Sequence, residues 1–415
     1  MHPSSLIIRV QENVVVAAST RSAVSSMTVP EHGNGVTLNL STSVAELFES
    51  DFTLLVDGQP FPFSIQGGGT VWELSFTLDW ITVDQEVTLA YAGSQLVRFA
   101  TTAVTNNSIV TARGRELVAR RRSYHLCFDL TTYYIAEFGI PGSQFAPGDA
   151  DPDIFNPTSL TQTADIDNWL DAAEAFGAAS IMLTCKHVCG FCMWESTISA
   201  DYCITAATTW WAANGFDITA AYLSRARARG LKVGVYFSIW DRAFEVANPT
   251  PSDAEYTAFI HAQLTELLTN YGEIDEILLD AWAGIADYPS YTKVNKASTL
   301  ALIRSLQPDI TILLNDYVQD LVDKDVNLYE EGLGEVIELP LAGNRMPCRT
   351  WMTPTNTGTS WYDDAAYRNQ YLSVADRRAR IATAVGRQSE IMMNLSPDIT
   401  GLIDADRIAY LEELT

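Results

Sequence analysis

Residues 181–194, IMLTCKHVCGFCMW, and 231–242, LKVGVYFSIWDR, each open with an apolar run long enough for a buried strand and close in polar and aromatic side chains. Between them FDITAAYLSRARARG has the pattern of an amphipathic helix ended by Gly230. Strand, crossover helix and strand make a βαβ unit, and parallel strands covered on both faces read as continuous apolar runs. In barrels built from such units, residues at the carboxyl ends of the strands face the reaction site. Lys186, His187, Trp194, Tyr236, Trp240 and Asp241 are thereby expected around one pocket mouth, a mixture of polar groups and flat rings that suits a sugar. Asp280 ends a third apolar run, IDEILLD (274–280). A carboxylate there is costly unless the site uses it, the other reading being an Asp that caps a turn.

The elements that must position these groups begin at Tyr124. Strand candidates are YHLCFDL (124–130), ASIMLTC (179–185), LKVGVYF (231–237), IDEILLD (274–280), ITILLN (310–315), EVIEL (335–339), CRTWMT (348–353) and EIMMNL (390–395). Helical patterns separate most of them, and several are followed by Gly or Pro, as helix ends often are. Eight strands with intervening helices predict a (β/α)8 barrel over 124–415, with one irregular side where the sixth and seventh strands lack a clear helix between them. Residues 1–108 differ: VTLNLST, DFTLLVDG, WELSFTL and EVTLAYAG are short alternating runs divided by turn residues, the pattern of an all-β sandwich. Segment 109–123, IVTARGRELVARRRS in its core, reads as a basic linker.

Composition narrows the function. Lys and Arg number 26 against 51 Asp and Glu, a formal charge of −25 with no basic tract, which argues against a surface that neutralises nucleic-acid phosphates. No apolar run approaches the ~20 residues of a membrane span. The opening MHPSSLIIRVQENVVV reads as the start of a strand rather than a secretion signal. Cys185, His187, Cys189 and Cys192 invite a zinc reading, but structural zinc sites use separated ligand pairs, and buried free thiols are the expectation for all six cysteines, as is the absence of a disulfide framework.

Several ordered blocks resemble the α-L-fucosidases of glycoside hydrolase family 29. The family's "FIHFG", "EWG" and "FNP" are matched by CFDLT (127–131), EFG (137–139) and FNP (155–157). Its "LTAKHHDGFCLW" is matched by LTCKHVCGFCMW (183–194) and its "GLKFGVYLSPWDR" by GLKVGVYFSIWDR (230–242). LLDAW aligns with the strand end that bears the family's nucleophile, and MMNLSPDITGLI (392–403) with "LLNIGPDPDGRI". The resemblance implies a retaining exo-glycosidase in which one carboxylate attacks the anomeric carbon and a second carboxylic acid protonates the leaving oxygen. It assigns the nucleophile to Asp280 and the acid to Glu330, with Glu331 the rival and Glu335 and Glu338 lesser candidates. It makes Lys186, His187, Trp194, Tyr236, Asp129, Phe138 and Tyr317 sugar-contacting positions, and the chemistry needs neither metal nor organic cofactor.

Five positions depart from the family pattern: Asp129 stands for its first His, Val188 and Cys189 for the second His and Asp after Lys186, Phe138 for Trp and Tyr317 for Arg. Pockets that hydrogen-bond hydroxyls discriminate strongly, so the sugar clamp is expected to be rebuilt. Two functions therefore compete: a glycosidase acting on fucose or a similar deoxy sugar, and a degenerate barrel that binds glycans or serves structurally. The segment VTLAYAGSQLVRFATTAVTNNS also resembles immunoglobulin-like adhesin repeats of bacteria and phages, which implies an attachment module and a setting in a phage tail or surface assembly, with a cytoplasmic glycosidase as the plain alternative.

Overall fold

A computed structural model describes residues 8–11, 22–28, 35–44, 50, 52–56, 59–60, 62–75, 87–91, 96–99, 112–139, 145–282, 292–316, 321, 323–331, 339–340, 344, 346–355, 361–364 and 370–415. The chain divides into two compact units, Met1–Arg115 with Asp320–Val322, and Glu116–Gln319 with Asp323–Thr415.

Among the described residues the first unit holds eight strands: β1 (Ile8–Gln11), β2 (Ser22–Thr28), β3 (Gly35–Val44), β4 (Phe52–Val56), β5 (Gln59–Pro60), β6 (Ser64–Ser75), β7 (Val87–Tyr91) and β8 (Leu96–Phe99). They pair into two four-stranded sheets, β1-β7-β4-β5 and β6-β3-β2-β8.

The second unit is a closed barrel of eight parallel strands. These are β9 (Arg122–Leu126), β10 (Ser180–Lys186), β11 (Lys232–Ser238), β12 (Glu276–Asp280), β13 (Thr311–Leu314), β14 (Val326–Glu330), β15 (Cys348–Met352) and β16 (Ser389–Asn394), with β16 closing on β9 through Asn394 opposite His125. Seven of the eight overlap the strand candidates read from the sequence. The sixth does not. VNLYE (326–330) takes that place, not EVIEL, of which residues 335–338 lie outside the described residues. Asn327 interrupts the apolar run of VNLYE, but it points outward, where its amide meets the Met346 sulfur, so a strand was hidden behind one polar residue. The segment predicted as a linker contains the helix Ala112–Arg120 and the first residues of β9.

Alternation divides each strand between two environments. Ile181 and Leu183 of β10, Val235 and Phe237 of β11, Ile277 and Leu279 of β12, and Ile312 and Leu314 of β13 belong to the apolar shell shared with helix residues such as Trp169, Leu223, Ile260 and Leu264. The intervening residues point into the lumen. Near the amino ends of the strands this lumen is closed by charge. Arg349 binds Glu390 at 2.6 and 3.1 Å and Glu276 at 2.7 Å, all three buried, and Arg120 reaches Glu276 from the helix before β9. The carboxyl ends are left for chemistry.

Candidate active site

Asp280 is the last residue of β12 and shares the lumen face of Glu276 and Leu278. Its Oδ1 accepts the Ala281 N–H at 2.7 Å, and its Oδ2 accepts the Tyr236 hydroxyl in a very short contact. Ala281 takes φ 79°, a left-handed conformation that costs a non-glycine residue about 1–2 kcal/mol and that turns its N–H onto the carboxylate. Burial pushes the Asp280 carboxyl up from its ordinary range, while hydrogen bonds from Tyr236, Ala281 and the Asn315 side chain oppose that rise.

The neighbouring acids 330 and 331 face opposite ways. Glu330 is in register with Trp351 on β15 and follows Val326 and Leu328 on the lumen side, where Asn315 Nδ2 donates to its Oε2 at 3.0 Å. Glu331 points behind the barrel, fully buried between the guanidiniums of Arg377 and Arg380, and Arg377 also donates to the Thr355 carbonyl at 2.6 Å. Glu330 stands at a strand end, not in the solvated loop its sequence resembles. Asn315, at the carboxyl end of β13, donates to Glu330, and its side chain also helps hold down the Asp280 carboxyl pKa.

Aromatic groups wall the same end. His187 stacks on Tyr236 at 5.1 Å and on Phe145 at 4.2 Å. Its Nδ1 accepts the Val188 N–H at 2.8 Å, so the ring proton resides on Nε2, and burial lowers its pKa to about 3, keeping it neutral. Among the described residues nothing is recorded as accepting from Nε2, which leaves a neutral donor for a ligand. His125 lies deeper, its Nε2 beside the Thr184 hydroxyl at 2.9 Å and its Nδ1 accepting the Trp351 indole N–H at 3.2 Å. Trp351 in turn packs against Trp361 at 4.4 Å.

Asp129 is held by the protein's own groups. It is fully buried and caps the helix Leu130–Phe138, its Oδ1 accepting the Thr131 N–H at 2.6 Å. Its Oδ2 accepts the Tyr362 hydroxyl at 3.0 Å and lies 3.8 Å from the Cys189 thiol. Burial raises its pKa to about 6, against the pull of those hydrogen bonds. The group it presents is Tyr362, edge-on to His187 at 5.8 Å.

Three expected sugar contacts lie elsewhere. Lys186 is buried in an ion pair with Asp241 at 2.9 Å, a bond to Gln263 at 2.8 Å and a place 4.3 Å over the Phe237 ring. The break in register after Thr184 turns it out of the lumen into the apolar shell. Trp194 is wholly buried in the shell, its indole N–H on Glu266 of the helix Asp253–Asn270, so no ring face is open to a sugar. Phe138 is 56% exposed at the far end of its helix, against Tyr134. Tyr317, Glu335 and Glu338 lie outside the described residues. Asp241 and Trp240 pin their own loop, through Phe244 N–H and Glu245.

All six cysteines are buried and unbridged. Among the described residues no group of three or more His, Cys, Asp or Glu side chains is arranged to hold a metal ion, and no helix is long and apolar enough to cross a membrane. The sequence reading passed over His125, Asn315, Trp351 and Tyr362. For the first three the signal was present: a polar or bulky group interrupting an apolar strand on its lumen parity. Tyr362 follows no strand, and nothing local marks it.

A family model described as alpha-L-fucosidase matches residues 124–415. The chain belongs to the alpha-L-fucosidase family. Alpha-L-fucosidase 1 of Arabidopsis thaliana is 29% identical over 300 residues, covering 66% of this chain and 54% of that protein. This chain spans about half the length of the curated relatives it matches. A solved glycoside hydrolase 29 member from an unknown rumen bacterium superposes with TM-score 0.59 at 25% identity, over 73% of this chain and 55% of that one. Alpha-L-fucosidase isoenzyme 1 from Paenibacillus thiaminolyticus, at 23% identity, shares the fold with TM-score 0.57 over 73% of this chain and 74% of its own. The matched family segment coincides with the barrel unit, apart from its opening helix.

Proposed function

We propose that this chain is a retaining exo-glycosidase that removes a terminal α-L-fucose or a closely similar deoxy sugar, with Asp280 as nucleophile and Glu330 as acid and base. The observation that carries the reading is that both carboxylates reach the lumen at strand ends on either side of β13, whose own end bears Asn315, the donor to Glu330. Asp280 attacks the anomeric carbon while Glu330 gives its proton to the leaving oxygen. Glu330 then takes a proton from the water that releases the sugar. Tyr236 orients Asp280, and His187 Nε2–H and the Tyr362 hydroxyl meet sugar hydroxyls.

The test is hydrolysis of a panel of aryl α- and β-glycosides, α-L-fucoside included, by the unaltered chain and by Asp280→Asn. Release of one sugar, reduced by at least about a thousandfold in the variant, is the expected result. Equal release by both proteins overturns the assignment of Asp280.

The N-terminal strands are proposed to form an immunoglobulin-like sandwich that attaches the enzyme to a virion or surface assembly, on the support of their short alternating pattern and two four-stranded sheets. A purified chain that elutes as a monomer and binds neither cell surfaces nor virion proteins counts against that role.

A further inference from the structure

Asn315 is 4% exposed, and among the described residues its Oδ1 has no hydrogen-bond partner. A buried acceptor left unmade costs about 1–3 kcal/mol, and in a native protein such an atom calls for a reason. The reason stands on the other side of the same amide. Nδ2 donates to Glu330 Oε2 at 3.0 Å, and the same side chain opposes the rise of the Asp280 carboxyl pKa. The reverse rotamer would place Oδ1 against the Glu330 carboxylate, so the observed orientation is the one its charge selects. The backbone is fixed separately, by Asn315 N–H on the Leu279 carbonyl, which ties the carboxyl end of β13 to β12 one residue before Asp280.

We propose that Asn315 is a positioning residue, whose side-chain amide stands on the strand between those of Asp280 and Glu330 and sets the spacing between them. The proposal rests on the glycosidase reading for its kinetic consequences, but its geometry does not. An amide with two N–H groups and no charge suits this place. A lysine there would hold both carboxylates ionised and deny the acid its proton, whereas an apolar side chain would let the two acids drift or share one proton. Among the described residues, other titratable groups facing the pair are the Tyr236 hydroxyl on Asp280, the Cys127 thiol, and His187 and His125 behind the Tyr236 ring; both histidines have lowered pKa values. None of these bridges the two acids.

Two variants test it. Asn315→Leu removes both donors at similar volume, and Asn315→Thr leaves one hydroxyl that can donate to one carboxylate at a time. Carboxyl titrations are followed by NMR in protein with 13C-labelled Asp and Glu, assigned with Asp280→Asn and Glu330→Gln, and need no substrate. The expectation is that both groups titrate about one pH unit or more higher in Asn315→Leu, and only one of them in Asn315→Thr. With an active substrate, kcat should fall at least tenfold while KM changes little, and the bell of kcat/KM should move to higher pH. If Asn315→Leu does not fold, Asn315→Thr decides alone. Titrations and pH profile unchanged in a folded variant overturn the proposal. Absence of hydrolysis by the unaltered chain instead counts against the glycosidase reading and leaves the NMR result to decide on Asn315.

Discussion

At the scale of single residues, environment separates groups that share a chemical type. Glu330 and Glu331 are adjacent and identical, yet one meets an amide in the lumen and the other two guanidiniums outside it. Strand alternation alone makes that division, so the acid could have been chosen from sequence had β14 been recognised. Asp129 is a third case. Its folded pKa, about 6, lies above the ~3.9 of an unfolded aspartate, so the native state binds the extra proton between those values. Stability contributed by this group is therefore greatest below about pH 4 and falls as pH rises through about 6, by up to about 3 kcal/mol. Melting curves of the unaltered chain and Asp129→Asn between pH 4 and 7 measure this. The Tm of the unaltered chain should drop relative to the variant across that window, and a constant difference would show Asp129 to be ionised throughout.

At the scale of elements, the segment from Lys186 to Trp194 serves two masters. His187 leaves the strand toward the lumen, while Lys186 before it and Trp194 after it turn back into the shell. Periodicity placed this segment at a strand end but could not tell which side chains faced in, because the register shifts within it. Its turn depends on Gly190, at φ 91°, where an added Cβ would overlap Asp241, the partner of Lys186. Lys186→Met should destabilise the chain by about 3–5 kcal/mol, by leaving Asp241 buried and uncompensated. Gly190→Ala should destabilise it through the same ion pair. Urea unfolding of both and of the double variant checks the link: the double variant should lose clearly less than the sum, whereas full additivity would mean that the two changes act on separate features.

At the scale of the whole barrel unit, closure was readable because most lumen and shell positions follow the two-residue period. The charged floor was not, since Glu276, Arg349 and Glu390 sit in three distant segments and each looks like an ordinary polar break in a strand. Arg349 is the cation these two acids share. Arg349→Leu should cost about 3–5 kcal/mol near neutral pH. Part of that loss should return on acidification, because burial already raises the Glu390 carboxyl pKa and, left without Arg349, it regains stability when protonated, whereas Glu276 keeps Arg120. Denaturant midpoints at pH 7 and pH 4.5 report this, and a variant penalised equally at both would show that the loss comes from packing alone.

That floor also makes the lumen a blind pocket. On the glycosidase reading, a sugar entering at the carboxyl ends of the strands meets the buried Arg349 and its two acids below. Only the tip of a branched or linear glycan can be threaded into such a dead end, and whatever is cut off must back out by the door through which it came. On that reading, the freed monosaccharide then occupies the space its successor needs, so added free sugar is expected to slow turnover.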